Sequence, residues 1–159
     1  MITESFAAPV LRSRLWTGDH VVPVPADVAH ALLTAGTRRV VAVLNGHPVR
    51  RALTQHDGGT VLMLGRDLLR AIGVAEGDTV FADVSPDPEP DRVDLGAELE
   101  AVLAQDAPAA ERFFGFTPGR QRSMAIYVTG AKRTETRTKR ALDLAHKLRT
   151  HTLYGDTPR

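Results

Sequence analysis

The chain has 159 residues, 43% of them apolar, with 20 basic and 19 acidic side chains, a formal net charge of +1 and no cysteine. That length supports one core, or a core with a satellite. The missing thiols exclude disulfides, thiolate nucleophiles and thiolate metal sites, and no apolar run reaches the roughly 20 residues that span a bilayer.

The near-neutral total conceals a segregation. Residues 1–75 carry 8 basic and 5 acidic side chains, residues 76–111 carry 1 and 11, and residues 112–159 carry 11 and 3. Either the acidic middle and the basic end neutralise each other in the fold, or the basic end faces a polyanion or an anionic ligand. Met1-Ile2-Thr3-Glu4-Ser5 has no basic stretch followed by an apolar one, so a cytoplasmic protein is expected.

An opening strand is expected over residues 6–15. Next come two similar segments, residues 22–44 and 62–84, which align without a gap at an offset of 40. Identity is confined to Asp27/Asp67, Ala31/Ala71, Val40/Val80 and Ala42/Ala82, but the hydrophobic pattern agrees almost throughout. Each segment reads as strand, helix, turn and strand. Pro25 suits a first helical turn, where its missing N–H costs nothing. Asp27 and Asp67 fall in first turns, where the helix dipole favours a carboxylate. Gly73 is placed to close the second helix in a left-handed conformation. Between the segments, Asn45-Gly46 predicts a type I′ hairpin that sets Val41 opposite Arg50 and Val40 opposite Arg51. Asp57-Gly58-Gly59 turns the chain again. So many short strands favour a closed or nearly closed barrel.

Pro86-Asp87-Pro88-Glu89-Pro90 ends the β part, since repeated prolines cannot continue a ladder. The apolar period then becomes helical. One stripe holds Leu95, Leu99, Val102 and Leu103, and Pro108 opens a short helix carrying Phe113 and Phe114. Met124, Tyr127, Val128 and Ala131 form the next stripe, and Ala141, Leu144, Ala145 and Leu148 the last. Thr134 is the expected N-cap of the last helix.

Val24-Pro25 and Ile72-Gly73-Val74-Ala75-Glu76-Gly77-Asp78-Thr79-Val80 resemble the AbrB/MazE-like double-split barrels. Ala131-Lys132-Arg133-Thr134-Glu135-Thr136-Arg137-Thr138-Lys139-Arg140 resembles the signature of the YdeI/OmpD-associated, or bacteriocin-protection, domain. The order is similar to a bacterial family of unknown function that joins the two parts. The resemblance implies an α+β fold. An internally duplicated double-split β-barrel, both halves in one chain, would occupy residues 5–87. A helical domain would follow over 92–150, with a loose tail over 151–159. With both halves in one chain, dimerisation is not required for folding.

No catalytic centre stands out. The six histidines show no zinc-binding spacing, the serines lie in no nucleophile elbow, and Gly58-Gly59 is a turn and not a phosphate loop. No pattern calls for a metal or a cofactor. Trp16, Phe113, Phe114, Phe116 and Tyr127 are few for stacking on single-stranded nucleic acid and read as core and docking residues. The candidate ligand-binding residues are Arg137, Arg50, Arg51, Lys132, Arg140 and Tyr127. Arg137 shares a stripe with Ala141, Leu144 and Leu148, so its guanidinium points toward the core side. There it forms a salt bridge with the acidic middle segment or anchors a ligand. Alternation sends Arg50 and Arg51 to opposite faces of one strand.

The leading functional reading is a non-enzymatic binding or stress/bacteriocin-protection module. It would take a small anionic or amphipathic ligand, or a protein partner, at the barrel–helix junction. A DNA-binding regulator of AbrB type is the alternative. Charge disfavours it, because Arg38-Arg39 in the first segment become Asp78-Thr79 in the second, and a symmetric reader needs matching basic residues. An unrecognised small-molecule enzyme is the third reading.

Overall fold

The computed structural model describes residues 2–14 and 20–156, and the chain divides into two units, Met1–Pro90 and Asp91–Arg159. In chain order the first unit has β1 (Glu4–Pro9), β2 (Leu11–Arg12), β3 (His20–Val24), α1 (Ala26–Thr34), β4 (Arg39–Leu44) and β5 (His47–Ala52). It continues with β6 (Thr54–His56), β7 (Gly59–Leu64), α2 (Arg66–Ile72) and β8 (Thr79–Pro86).

The strands form two antiparallel four-stranded sheets, ordered β1-β8-β4-β5 and β2-β3-β7-β6. Among the described residues neither sheet closes on itself, so two open sheets stand where a closed or nearly closed barrel was expected. The opening strand differs too. It breaks at Val10 into β1 and β2, one in each sheet, and Leu15 and Trp16 lie outside the described residues. The break has a backbone cause: Val10 N–H donates to the Asp78 carbonyl at 2.9 Å, and Gly77 N–H donates to the Val10 carbonyl at 2.8 Å. Those bonds replace a ladder step and hand the chain from one sheet to the other.

Positions related by the offset of 40 face each other in both sheets. Val22 pairs with Leu62 across β3 and β7, and Val43 pairs with Asp83 across β4 and β8. The hairpin register is the expected one, Val41 opposite Arg50 and Val40 opposite Arg51. Asn45 and Gly46 both have positive φ, as a type I′ turn demands. Asp57 and Gly58 form a second such turn, with Gly59 already in β7 opposite His56. Gly73 (φ 72°) closes α2, and Val74 N–H reaches back to the Leu69 carbonyl in a Schellman arrangement.

Alternation buries one face of each central strand. Val40, Ala42 and Leu44 of β4 and Val80, Ala82 and Val84 of β8 meet Val22, Leu62 and Leu64 of the other sheet, with Leu32 and Leu69 from the helices, in one core cluster. Burying each Val or Leu stabilises by about 1.5–3 kcal/mol relative to exposure.

The second unit consists of α3 (Ala97–Ala104), α4 (Ala107–Gly115), α5 (Pro118–Thr129) and α6 (Thr134–Thr150) around a separate core cluster. Fully buried Leu99, Phe113, Val128, Ala141 and Leu148 lie at its centre. Asp106 caps α4 by accepting from Ala109 N–H, and Thr117 caps α5 by accepting from Arg120 N–H. The N-cap of α6 is Arg133, not the expected Thr134, whose hydroxyl is instead engaged by the Arg137 guanidinium at 3.0 Å.

Residues 152–156 follow α6 and contact the helical unit. Asp156 takes a two-pronged salt bridge from Arg112 and accepts from Leu153 N–H at 2.8 Å, while Leu153 packs on the helical core. Residues 157–159 lie outside the described ones. The Arg112 guanidinium, and then Leu153 N–H, hold the Asp156 carboxyl below the usual carboxylate range. Glu98 is held low as well, first by its own backbone N–H and then by Arg137. Both groups are more acidic folded than unfolded. Their stabilisation is therefore complete above about pH 4, the unfolded carboxylate value, and is lost as pH falls through the lower folded values. Thermal melts should show little change between pH 7 and 5, then a declining midpoint below about pH 4. Asp156→Asn should make that decline shallower. A decline of the same steepness in the variant would contradict the assignment.

Candidate functional site

α5 and α6 pack through small and apolar side chains, Ala125 and Val128 against Ala141, Leu144, Ala145 and Leu148. Small residues on the contact line let the helices approach and leave larger neighbours at the edge of the seam. The seam opens to solvent as a groove with two lobes. One lobe, of about 370 Å³, is bordered by Tyr127, Thr136, Lys139, Arg140 and Asp143. The other, of about 330 Å³, has Met124, Leu144 and Leu153 as its apolar wall, with Arg120, Lys147 and Tyr154 at its rim. Tyr127 borders both. Thr136, Arg140, Asp143 and Lys147 recur at helical spacing along α6, so the groove runs about 16 Å at 1.5 Å per residue.

Two of the expected site residues meet here. The Arg140 guanidinium lies 5.1 Å from the Tyr127 ring centroid and donates from Nη1 to the Tyr127 carbonyl at 2.9 Å. A guanidinium held by a ring face and one carbonyl keeps further N–H donors for other acceptors. Tyr127 is 45% exposed, although the helical stripe had placed it with the core. Arg120 is pinned in a similar way, 4.1 Å over the Phe116 ring. The groove's described cations are Arg120, Lys139, Arg140 and Lys147, and its described acid, Asp143, lies 3.2 Å from Lys147 Nζ.

The remaining expected site residues lie elsewhere. Arg137 donates from Nε to Glu98 at 2.9 Å and from Nη1 to the carbonyls of Ala131 and Lys132 at 3.1 and 2.9 Å. Glu98 belongs to the acidic middle segment, so Arg137 makes the salt-bridge arrangement and ties the loop before α6 to α3. Lys132 is exposed on that loop and does not border either lobe. Arg50 and Arg51 belong to the first unit. Arg50 reaches Glu89 at 3.3 Å and lies 3.8 Å from Asp87, whereas Arg51 donates to the carbonyls of Met63 and Arg50. Burial lowers the Arg51 pKa.

Arg120, Met124 and Tyr154 were not expected at the site. Only the basic character of Arg120 gave any sequence signal, and Tyr154 sits in the segment read as a loose tail. The first unit also holds a pair that no spacing announced: Ser13 Oγ lies 3.0 Å from His56 Nε2, both side chains buried, beside a cavity of about 800 Å³ with Arg12 and Glu76 at its edge. Among the described residues no cluster of three or more His, Asp or Glu is arranged to hold a metal. Among the described residues, too, no helix is long and apolar enough to cross a membrane.

Residues 92–151 match the family model described as "Bacteriocin-protection, YdeI or OmpD-Associated". That match spans the Ala131-to-Arg140 motif, which had suggested the same resemblance. Residues 6–84 match a domain of unknown function, DUF1905, where the sequence had suggested AbrB and MazE. No curated protein matches the chain.

Proposed function

We propose that this protein is a non-enzymatic binding module with a role in stress or bacteriocin protection, and that the α5–α6 groove takes a small anionic, amphipathic molecule. The observation that carries this is the Arg140–Tyr127 stack between two open lobes, with cations prevailing over the single described acid. An aromatic face beside apolar walls suits a hydrophobic body, and the unused guanidinium donors suit a carboxylate or phosphate. The description of the matched helical family supports the protective role. A cytoplasmic location belongs to the same reading.

The reading also takes β3-α1-β4 and β7-α2-β8 as two copies of one half-barrel unit. The offset of 40 and the pairing of Val22 with Leu62 support it. Both copies contribute to one core within the chain, which supports folding without a second subunit. DNA binding of AbrB type fits less well, because the basic Arg38-Arg39 has Asp78-Thr79 as its counterpart and Asp78 is spent capping Ala75 N–H.

A thermal-shift screen of the full chain against anionic metabolites, antibiotics and bacteriocins tests the proposal. At least one compound should stabilise the protein, by about 2.7 kcal/mol at a hundredfold excess over Kd. That shift should vanish in Arg140→Glu and weaken in Tyr127→Ala. Tyr127 is exposed and Arg140 half-buried, both outside the helical core cluster, so the unliganded midpoint should move by only a few degrees. No stabilising compound, together with unchanged susceptibility of a deletion strain, would overturn it.

A further inference from the structure

Within the α5–α6 groove the aliphatic lining lies in one lobe only. Thr136, Lys139, Arg140 and Asp143 border the lobe on one side of Tyr127, while Met124, Leu144 and Leu153 wall the lobe on the other, with Arg120 and Lys147 at its rim. At the open edge of the apolar lobe stands Tyr154, whose side chain is fully exposed. Its surroundings are nonetheless fixed. The next residue but one, Asp156, is clamped by Arg112, and the Tyr154 carbonyl accepts from Arg120 at 3.5 Å. The Tyr154 backbone is thus anchored at the edge of the apolar wall while its ring is open to cover by a ligand.

From this arrangement we infer that the groove binds one monomeric, single-chain amphiphile with a carboxylate head, head against Arg140 and Lys139 and tail between Met124, Leu153 and Tyr154. The inference rests on the binding-module reading and adds the ligand class and its direction. Charge complementarity selects the head. In the lobe that lacks an apolar wall, Asp143 is paired with Lys147, which leaves Lys139 and Arg140, with guanidinium donors beyond its bond to Tyr127, to face an incoming anion. A planar carboxylate suits the guanidinium fork. The tail side gains by burial of methylenes, and each one fully covered tightens binding about fourfold. Tyr127 at the waist offers its ring to the first methylenes.

The test is titration of the full-length protein by calorimetry with hexanoate, octanoate and decanoate, below their micelle-forming concentrations. Decanol and decyltrimethylammonium serve as head-group controls. Affinity should rise with each added pair of methylenes, by up to about 15-fold if both are buried. Decanol and the ammonium compound should bind at least tenfold more weakly than decanoate. Arg140→Glu should weaken decanoate at least tenfold and remove its preference over decanol. Tyr154→Ala, at a position too exposed to unfold the protein, should flatten the chain-length dependence and leave the head-group preference intact. Equal affinity for the three head groups, or an effect seen only with micelles or with vesicles carrying anionic lipid, would sink the inference. If the carboxylates fail but another compound binds in an Arg140-dependent manner, the ligand class is wrong and the binding-module reading stands. If nothing binds, both fall.

Discussion

Replacing Phe113 by alanine should destabilise the helical unit by about 3–5 kcal/mol. Phe113 is fully buried, its ring meets Phe114 edge-on at 5.2 Å, and it shares one core cluster with Leu99, Leu103 and Leu148 from the neighbouring helices. Side chains of α3 and α6 share that cluster from two separate helices, so they cannot all collapse into the space the ring leaves. A unit of this length is stable by roughly 3–10 kcal/mol, so the loss approaches half of the total or more. Phe114 is the internal control. It is more than half exposed, and Phe114→Ala should cost about 1 kcal/mol or less. Because the core of the first unit is a separate cluster, amide exchange should quicken across α4 and α6 while β4, β7 and β8 keep their protection. Equal loss in β8, or an effect no larger than that of Phe114→Ala, would contradict the packing argument. The variant also gives meaning to the groove substitutions: Phe113→Ala should remove binding by removing the fold, whereas Arg140→Glu should remove it from a folded protein.

Local chemistry made part of this molecule legible. The β4–β5 register follows from Asn45-Gly46, because a two-residue turn leaves a single way to pair the strands. The closure of α2 at Gly73 follows from the need for a left-handed residue there. What escaped is non-local. Residues 6–15 read as one apolar strand, and the break at Val10 is imposed by Gly77 and Asp78, which are distant in the chain. The sheets stay open for the same kind of reason, since strand content does not say which edges pair. In the helical unit, Arg137 could be placed near the acidic segment by its stripe and the charge layout, and Glu98 is its partner. Tyr127 could not be placed. Its spacing groups it with Val128, but α5 docks through Ala125 and Val128, and that line turns Tyr127 out to the seam. Tyr154 was invisible because its setting depends on one aspartate, Asp156, meeting Arg112 across the unit.

Gly96→Ala should destabilise the helical unit by roughly 2–3 kcal/mol, the upper part of the range for a side chain forced into a glycine-only conformation. Gly96 caps α3 with φ 78° and ψ 158°, a region that L residues avoid. A Cβ there would also stand 2.7 Å from the Thr129 Cγ2 methyl at the end of α5. Two separable penalties thus fall on one atom, and Thr129→Ser takes away only the methyl. Thr129 is exposed, so that change alone should stay within about 0.5 kcal/mol. Combined with Gly96→Ala it should recover the steric part and leave the backbone part. Full recovery would mean the backbone strain is absent, and no recovery would mean the methyl moves aside without cost. The consequence for function runs through Glu98, two residues beyond the cap. Its bond to Arg137 fixes a guanidinium that also holds the carbonyls of Ala131 and Lys132, and so sets where α6 begins. A cap shifted by the alanine pulls on that chain of bonds at the end of α6 nearest Arg140. Gly96→Ala should therefore weaken ligand binding in the groove even at temperatures where the unit remains folded, and Thr129→Ser should restore part of both losses together.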